Sequence, residues 1–306
     1  MAEGYLALDV GGSSLKAAAL DAACQPLPGS VRQYALPQPA SREEILGLFY
    51  RALQEARHSA QAAGISPAAL GAGFPGPFDF DKGLSLMSHK LPAIKGLPLR
   101  ELLSGAAGGL PVHFLHDSTA YMLGEAHQGA AAGALSPACL MLGTGLGFAH
   151  MLKGRVCVGE DRRPHAVLWR LPFLDGTAED YVSRAAIRQR YGALSGMTEP
   201  PDVEAIALLA RQGDEAAISC FDKTARLLAQ LLRPLLDSLG CDLLVLGGQI
   251  ARSADLFIDH LRQGLSLPVL QAAHFDDAAL RGAGHYCLQP GEGSEVQRPR
   301  SAITGY

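Results

Sequence analysis

Asp9 closes a short apolar run in "LALDVGGSSLKAAALD", residues 6–21, and Gly11, Gly12, Ser13 and Ser14 follow it. Glycines carry no Cβ, so backbone N–H groups there can approach an anion closely, and serine hydroxyls add donors. A carboxylate beside such a turn suits a hydrated magnesium ion, which keeps most of its waters and takes one or two carboxylates. The stretch therefore reads as a phosphate cradle, with Asp9 holding the metal through water. Gly143, Thr144 and Gly145 repeat the pattern after the apolar run "CLMLG". Either turn alone reads equally well as a tight hairpin turn. Their recurrence at equivalent points favours two cradles gripping one polyphosphate. A third acid, Asp117, opens a helix after "PVHFLH". An aspartate there reads first as an N-cap, although a carboxylate can also accept the proton of a hydroxyl nucleophile.

The elements that would position these residues alternate between β and helical periodicity. A hairpin is expected over 5–10 and 15–20, with its turn at 11–14. Ser41 and Glu44 form a capping-box pattern that starts a helix over 41–63. A strand ending in a Gly-Pro turn is expected within 69–79, and another at 111–117 runs into a helix at 118–131. After the small-residue linker 129–138, a strand at 139–143 opens a second hairpin running to about residue 158. Helices over 177–192, 202–212 and 214–239, a strand at 242–248 and a helix from about 253 follow. Each half opens with strand, glycine turn and strand, so a duplicated α/β architecture with a cleft between halves is expected. The domains are drawn at 1–115 and 116–306. After Gln289 the chain is polar and rich in Gly, Pro and Ser, which reads as a surface tail that could equally pack on a partner subunit.

Composition excludes several classes. The 306 residues are 48% apolar, enough for a large core and two domains. Net charge is −4 and no basic block occurs, so nucleic acid is not an expected partner. No apolar run reaches the roughly 18 residues of a membrane span, and the start lacks the pattern of a signal peptide, which points to the cytoplasm. The six cysteines are scattered without a C-x-x-C pair, so buried reduced thiols are expected rather than a disulfide framework. The glycine turns match neither the dinucleotide pattern G-x-G-x-x-G before a helix nor the P-loop pattern G-x-x-x-x-G-K-[ST].

Six ordered motifs resemble the ROK family of sugar kinases and repressors. "LDVGGSSLKAAALD" resembles its first phosphate motif, and "GFPGPFDFDKG" its G-x-P-G-x-x-D segment. "LPAIKGLPLRELL" matches the stretch that leads to the sugar site, and "LHDSTAYMLGEA" the N-D-A-N-A helix start. "LGTGLGFAHMLKG" and "LLVLGGQIARSADLF" resemble the second phosphate motif and the adenosine motif. The resemblance implies a two-domain ribonuclease H-like fold of the actin, hexokinase and Hsp70 type. It also implies transfer of the γ-phosphoryl group of ATP, with magnesium, to a hydroxyl of a hexose or hexose derivative. Asp117 would be the catalytic base. Asp9, Gly11, Gly12, Ser13, Ser14, Lys16, Gly143, Thr144, Gly145, Gly247 and Gly248 would hold nucleotide and metal. Family members commonly form dimers, so a homodimer is an open expectation. No helix-turn-helix segment precedes Tyr5 to support a repressor role.

The acceptor half departs from the family pattern. His116 and Thr119 stand where the family has asparagines, and Lys90 replaces the Asn that commonly precedes L-P. The E-x-G-H segment is reduced to "RRPH", with Arg162 in the place of the acid; Glu160 or Asp161 could substitute for it. His116, Glu160, His165 and Glu179 are the sugar-binding candidates by resemblance. His165 reads equally as a core-edge histidine, and Glu179 as a solvated acid at a helix start. The family's C-x-C-G-x-x-G-C loop is absent, and without thiolates no structural zinc is expected. A guanidinium only donates hydrogen bonds, so Arg162 cannot accept from sugar hydroxyls. Three readings follow: a sugar kinase, a binding protein that has lost catalysis, and a kinase of a non-sugar hydroxyl compound.

Overall fold

The computed structural model describes residues 1–288 and the backbone of a strand at Ser294–Val296; the remainder of the tail lies outside the described residues. The chain divides into two compact units. Of the described residues, the first comprises Met1–Gly129, Val158–Pro164 and those from Asp276, and the second Ala130–Cys157 and His165–Phe275.

In the first unit, β1 (Ala2–Val10) and β2 (Ser14–Asp21) form the expected hairpin, in which Asp9 pairs with Lys16. β3 (Arg32–Ala35) continues the antiparallel part, and α1 (Arg42–Ala62) follows. Its capping box is made as expected: Glu44 N–H donates to Ser41 Oγ at 3.2 Å, and Ser41 N–H donates to Glu44 Oε2 at 2.7 Å. β4 (Ile65–Phe74), the short pair β5 (Phe78–Asp79) and β6 (Leu84–Ser85), α2 (Leu99–Ala106), β7 (Val112–His116) and α3 (Asp117–Gln128) complete this part. The sheet order is β3-β2-β1-β4-β7, with β1, β4 and β7 parallel. Alternation along the strands assigns the two faces. Leu6, Leu8, Leu70 and Phe74 enter one core with Ile45 and Phe49 of α1, whereas Gly71 and Gly73 open the other face to helices.

The second unit repeats this plan. β8 (Pro137–Leu142) and β9 (Leu146–Leu152) form a hairpin, extended by β10 (Arg155–Val158). After the small pair β11 (Pro172–Phe173) and β12 (Gly176–Thr177) come α4 (Ala178–Val182), α5 (Arg184–Ser195), α6 (Val203–Arg211) and α7 (Glu215–Leu239). β13 (Leu243–Gly247), α8 (Ile258–Gly264) and β14 (Val269–Gln271) end the unit. Over these strands the order is β10-β9-β8-β13-β14, with β8, β13 and β14 parallel. This is the order and direction of the first sheet again, so the faint repeat of the sequence is a duplicated topology.

α9 (Ala278–Leu288) returns the chain to the first unit, where it lies against α3, β1 and β4. A Cβ on Gly282 would stand 1.8 Å from the carbonyl oxygen of Ala120, and one on Gly124 2.0 Å from that of Ala278. α3 and α9 therefore pack backbone to backbone. The boundary expected at 115/116 falls at the end of β7, and α3 beyond it packs in the first unit because its partner α9 lies there.

The strand read in 69–79 ends in its Gly-Pro turn as expected: β4 stops at Phe74, before Pro75 and Pro77, which cannot donate to a ladder. Other elements differ from expectation for local reasons. The helix expected over 177–192 is two helices, because Ser183 is extended and caps α5 by accepting from Ala186 N–H at 3.3 Å. The helix expected from about 253 is a 3-10 stretch at Ile250–Leu256, with α8 after it. All six cysteines are free thiols, and all but Cys241 are buried. Among the described residues no helix is long and apolar enough to cross a membrane.

Candidate active site

Three parallel strands of the first unit end side by side, and their register decides what meets there. Asp9 pairs with Gly73, and Phe74 pairs with His116, the residue before Asp117. Ligands of open α/β sheets bind outside the carboxyl ends of parallel strands. Gly73 keeps the space between the two acids open: a Cβ there would lie 3.7 Å from Asp9 Oδ1 and 3.8 Å from Asp117 Cα.

The two carboxylates are tuned in opposite directions. Burial first, and then the charge of Asp117, push Asp9 up to about 7, against the opposing pull of Lys16. Burial would also raise Asp117, but His116, Lys90 and the Ser118 backbone N–H outweigh it and hold this carboxyl below its ordinary value. Nδ1 of His116 lies 2.8 Å from Asp117 Oδ1, and Ser118 N–H donates to that same oxygen at 2.6 Å. His116 is the N-cap residue, its side chain accepting from Ser118 N–H at 3.3 Å. Asp117 is thus the first helical residue and not the cap. It lies deep among protein atoms, yet 35% of its side chain stays accessible, and that face is the one a hydroxyl could reach.

The first glycine turn closes when Gly11 N–H donates to the Ser14 carbonyl at 2.8 Å. The turn's own carbonyls are tied down: Gln38 donates to Gly12 O at 2.7 Å, and Leu36 N–H to Ser13 O at 2.8 Å. Lys16 stands across the hairpin from Asp9, and its ammonium donates to the Asp276 carbonyl at 2.7 Å.

In the second unit, the turn at 143–145 closes the same way, with Gly143 N–H donating to Gly145 O at 3.2 Å. A Cβ on Gly145 would meet Glu179 Oε1 at 2.5 Å, so Glu179 lies directly over the turn. Gly247 pairs with Met141, and Gly248, at φ +81, brings its backbone against Leu142. Residues 143–145, Glu179, Gly247 and Gly248 therefore form one group. His165 packs toward the buried His150 at 6.1 Å between ring centroids. Burial and then His165 push His150 down to about 4.

The sugar-binding candidates are thus distributed, with His116 and Glu160 in the first unit and His165 and Glu179 in the second. Glu160 is exposed, and its neighbour Asp161 is engaged by Arg163. Arg162 pairs with Asp81 at 2.9 Å and donates to the Tyr286 hydroxyl at 3.1 Å. Arg163 and His116 both border Gly76: Arg163 Cδ and His116 Nε2 lie 3.7 and 3.5 Å from the point where a Gly76 Cβ would stand, while the Arg163 guanidinium pairs with Asp161. Gly73 and Arg163 were not singled out from the sequence. A signal for the first existed in "LGAGF", where alternate glycines inside a strand mark a close approach.

The residues fit a hydrated magnesium ion, because two carboxylates on either side of Gly73, one pushed up by burial and then by the charge of the other, offer the donor set that a divalent cation would relieve. No group of three or more His, Cys, Asp or Glu side chains among the described residues could hold a metal directly.

A sequence model of the ROK family matches residues 5–288. The glucokinase of Thermotoga maritima is 27% identical over 215 residues, covering 63% of this chain and 68% of that protein. An N-acetyl-D-glucosamine kinase of Pectobacterium atrosepticum is 27% identical over 309 residues, covering 91% and 97%. The crystal structure of a ROK hexokinase from Thermus thermophilus superposes with a TM-score of 0.73 at 27% identity, covering 92% of this chain and 96% of that one.

Proposed function

The chain belongs to the ROK family, and from that premise we propose that it is an ATP-dependent kinase of a hexose or hexose derivative, with Asp117 as its base. The observation that carries this reading is the pair Asp9 and Asp117 at the ends of β1 and β7, on either side of Gly73 of β4, with the turn at 11–14 following Asp9. In the transfer, the acceptor hydroxyl oxygen forms a bond to the γ-phosphorus while the bond to the β,γ-bridging oxygen breaks and ADP leaves. The hydroxyl proton passes to the Asp117 carboxylate, which His116 and Ser118 keep ionised at neutral pH. Bound magnesium, held through water by Asp9, would neutralise charge on the phosphates.

With the Gly11 and Gly143 N–H groups closing their turns, the remaining N–H groups of the turns at 11–14 and 143–145 and the hydroxyls of Ser13, Ser14 and Thr144 would take phosphate oxygens, and Gly247 and Gly248 would lie along the nucleoside. Lys16 opposes the upward push on Asp9 and ties the hairpin to Asp276. His116, Glu160, His165 and Glu179 are assigned to the acceptor. His116 is the best placed of them in the first unit, because it touches the base itself. The reading also places the chain in the cytoplasm, where ATP is at hand.

Asp9→Ala tests the nucleotide role. Calorimetry should show magnesium-ATP affinity falling by on the order of tenfold or more, the loss of one charge-assisted contact, with sugar affinity nearly unchanged. Unchanged affinity for magnesium-ATP would remove Asp9 from the site.

A further inference from the structure

One cation of the first unit is placed for this reaction without having been given a part in it. Residues 88–90 are exposed between the fully buried Met87 and the buried Leu91, so two apolar anchors fasten a short projecting segment. Lys90 leaves that segment over the first glycine turn. Its Cγ and Cδ lie 3.8 Å, and its Cβ 3.9 Å, from the point where a Cβ on Gly12 would stand. Its charge reaches Asp117, whose carboxyl it helps to hold down. The side chain thus lies beside the turn assigned to phosphate, with its charge felt by the carboxylate assigned to the hydroxyl proton. Among the described residues no carboxylate lies within ion-pair distance of Lys90, whereas the neighbouring Lys16 is held by Asp276.

Resting on the kinase reading above, we propose that Lys90 is a further catalytic residue whose ammonium binds the oxygens of the γ-phosphoryl group as it moves from ADP to the acceptor. The lysine stays protonated throughout and neither gives nor takes a proton. The bond to the leaving ADP breaks, the bond to the acceptor oxygen forms, the hydroxyl proton goes to Asp117, and Lys90 supplies charge to the three phosphoryl oxygens between them. A cation at that place stabilises negative charge in transit and is worth most in the transition state. A solvated surface lysine, the plain alternative, would have no preference among nucleotides.

The test compares wild type, Lys90→Gln and Lys90→Arg by calorimetry against magnesium-AMPPNP and magnesium-ADP, and by steady-state turnover with an accepted sugar. Lys90→Gln should lose on the order of tenfold or more in AMPPNP affinity and about twofold or less in ADP affinity. Its kcat should fall by on the order of 10²-fold, with partial recovery in Lys90→Arg, which restores charge but not shape. Melting temperature should stay put, since the side chain is exposed. Equal effects on both nucleotides, or a change confined to the acceptor KM, would overturn the assignment while leaving the kinase reading intact. A wild type that binds neither nucleotide would overturn the kinase reading, and this one with it.

Discussion

Asp117→Asn should lower turnover by on the order of 10²–10⁴ while the protein stays folded. Asparagine keeps the shape and an oxygen that can accept from Ser118 N–H, now at 2.6 Å from the carboxylate, but it cannot take a hydroxyl proton. The helix start survives because the capping side chain belongs to His116. What is lost is one negative charge in the first turn, worth roughly 0.3–1 kcal/mol at a helix N-terminus. Kinetics and thermal melting of the same preparation separate the roles. A large loss of kcat with a nearly constant melting temperature supports the base, and a rate within a few-fold of wild type would demote Asp117 to a structural acid.

Gly282→Ala should destabilise the first unit by about 3 kcal/mol or more, the upper end of what overpacking costs. The added methyl would sit 1.8 Å from the Ala120 carbonyl oxygen and 2.7 Å from Gly124 N, and neither is the end of a flexible side chain that can move aside. Relief requires α3 and α9 to part. At roughly 2–4 °C per kcal/mol for chains of this size, the melting temperature should drop by on the order of 10 °C. Because α3 carries Asp117 at its start, the same shift should lower activity in whatever protein remains folded, a displacement near 1 Å being worth about 10²-fold. Gly47→Ala is the control. That glycine lies in α1 with open space around its Cβ position, so alanine there should stabilise by roughly 0.5–1 kcal/mol. Two substitutions of the same chemistry should therefore move the melting temperature in opposite directions. A harmless Gly282→Ala would contradict the close packing of α3 on α9.

Much of this was legible in the residues. Both hairpins announce themselves by glycine turns between apolar runs, and α1 by its capping box, because those signals are local. The strand order was not, since which strands lie together depends on contacts far apart in the chain. α9 escaped notice because "ALRGAGHYCL" looks like a loop by propensity, yet its glycines are there to admit α3. β3 is a four-residue edge strand with no buried residue, so it has no alternation to show. At the site, Asp9 and Asp117 each carried a signal of their own. Their coupling appears only when β1, β4 and β7 stand in register. Lys90 read only as a departure from a family pattern, and nothing in its surroundings in the chain predicts Gly12 as its neighbour. Arg162 stood in the sequence in place of the family's acid, and only the fold shows that Asp81 and Tyr286 engage it while Arg163 borders Gly76 with His116.

The account stands or falls on phosphoryl transfer itself. ADP release from magnesium-ATP, measured against a panel of neutral hexoses, N-acetylated hexosamines and acidic sugars, tests it most directly. At least one acceptor should raise ADP release well above the acceptor-free rate, and Asp117→Asn should abolish that rise. If magnesium-ATP binds and no acceptor raises ADP release, the chain is a binding protein. The substitutions at His116, Thr119 and Arg162 would then be the physical reason that catalysis is lost.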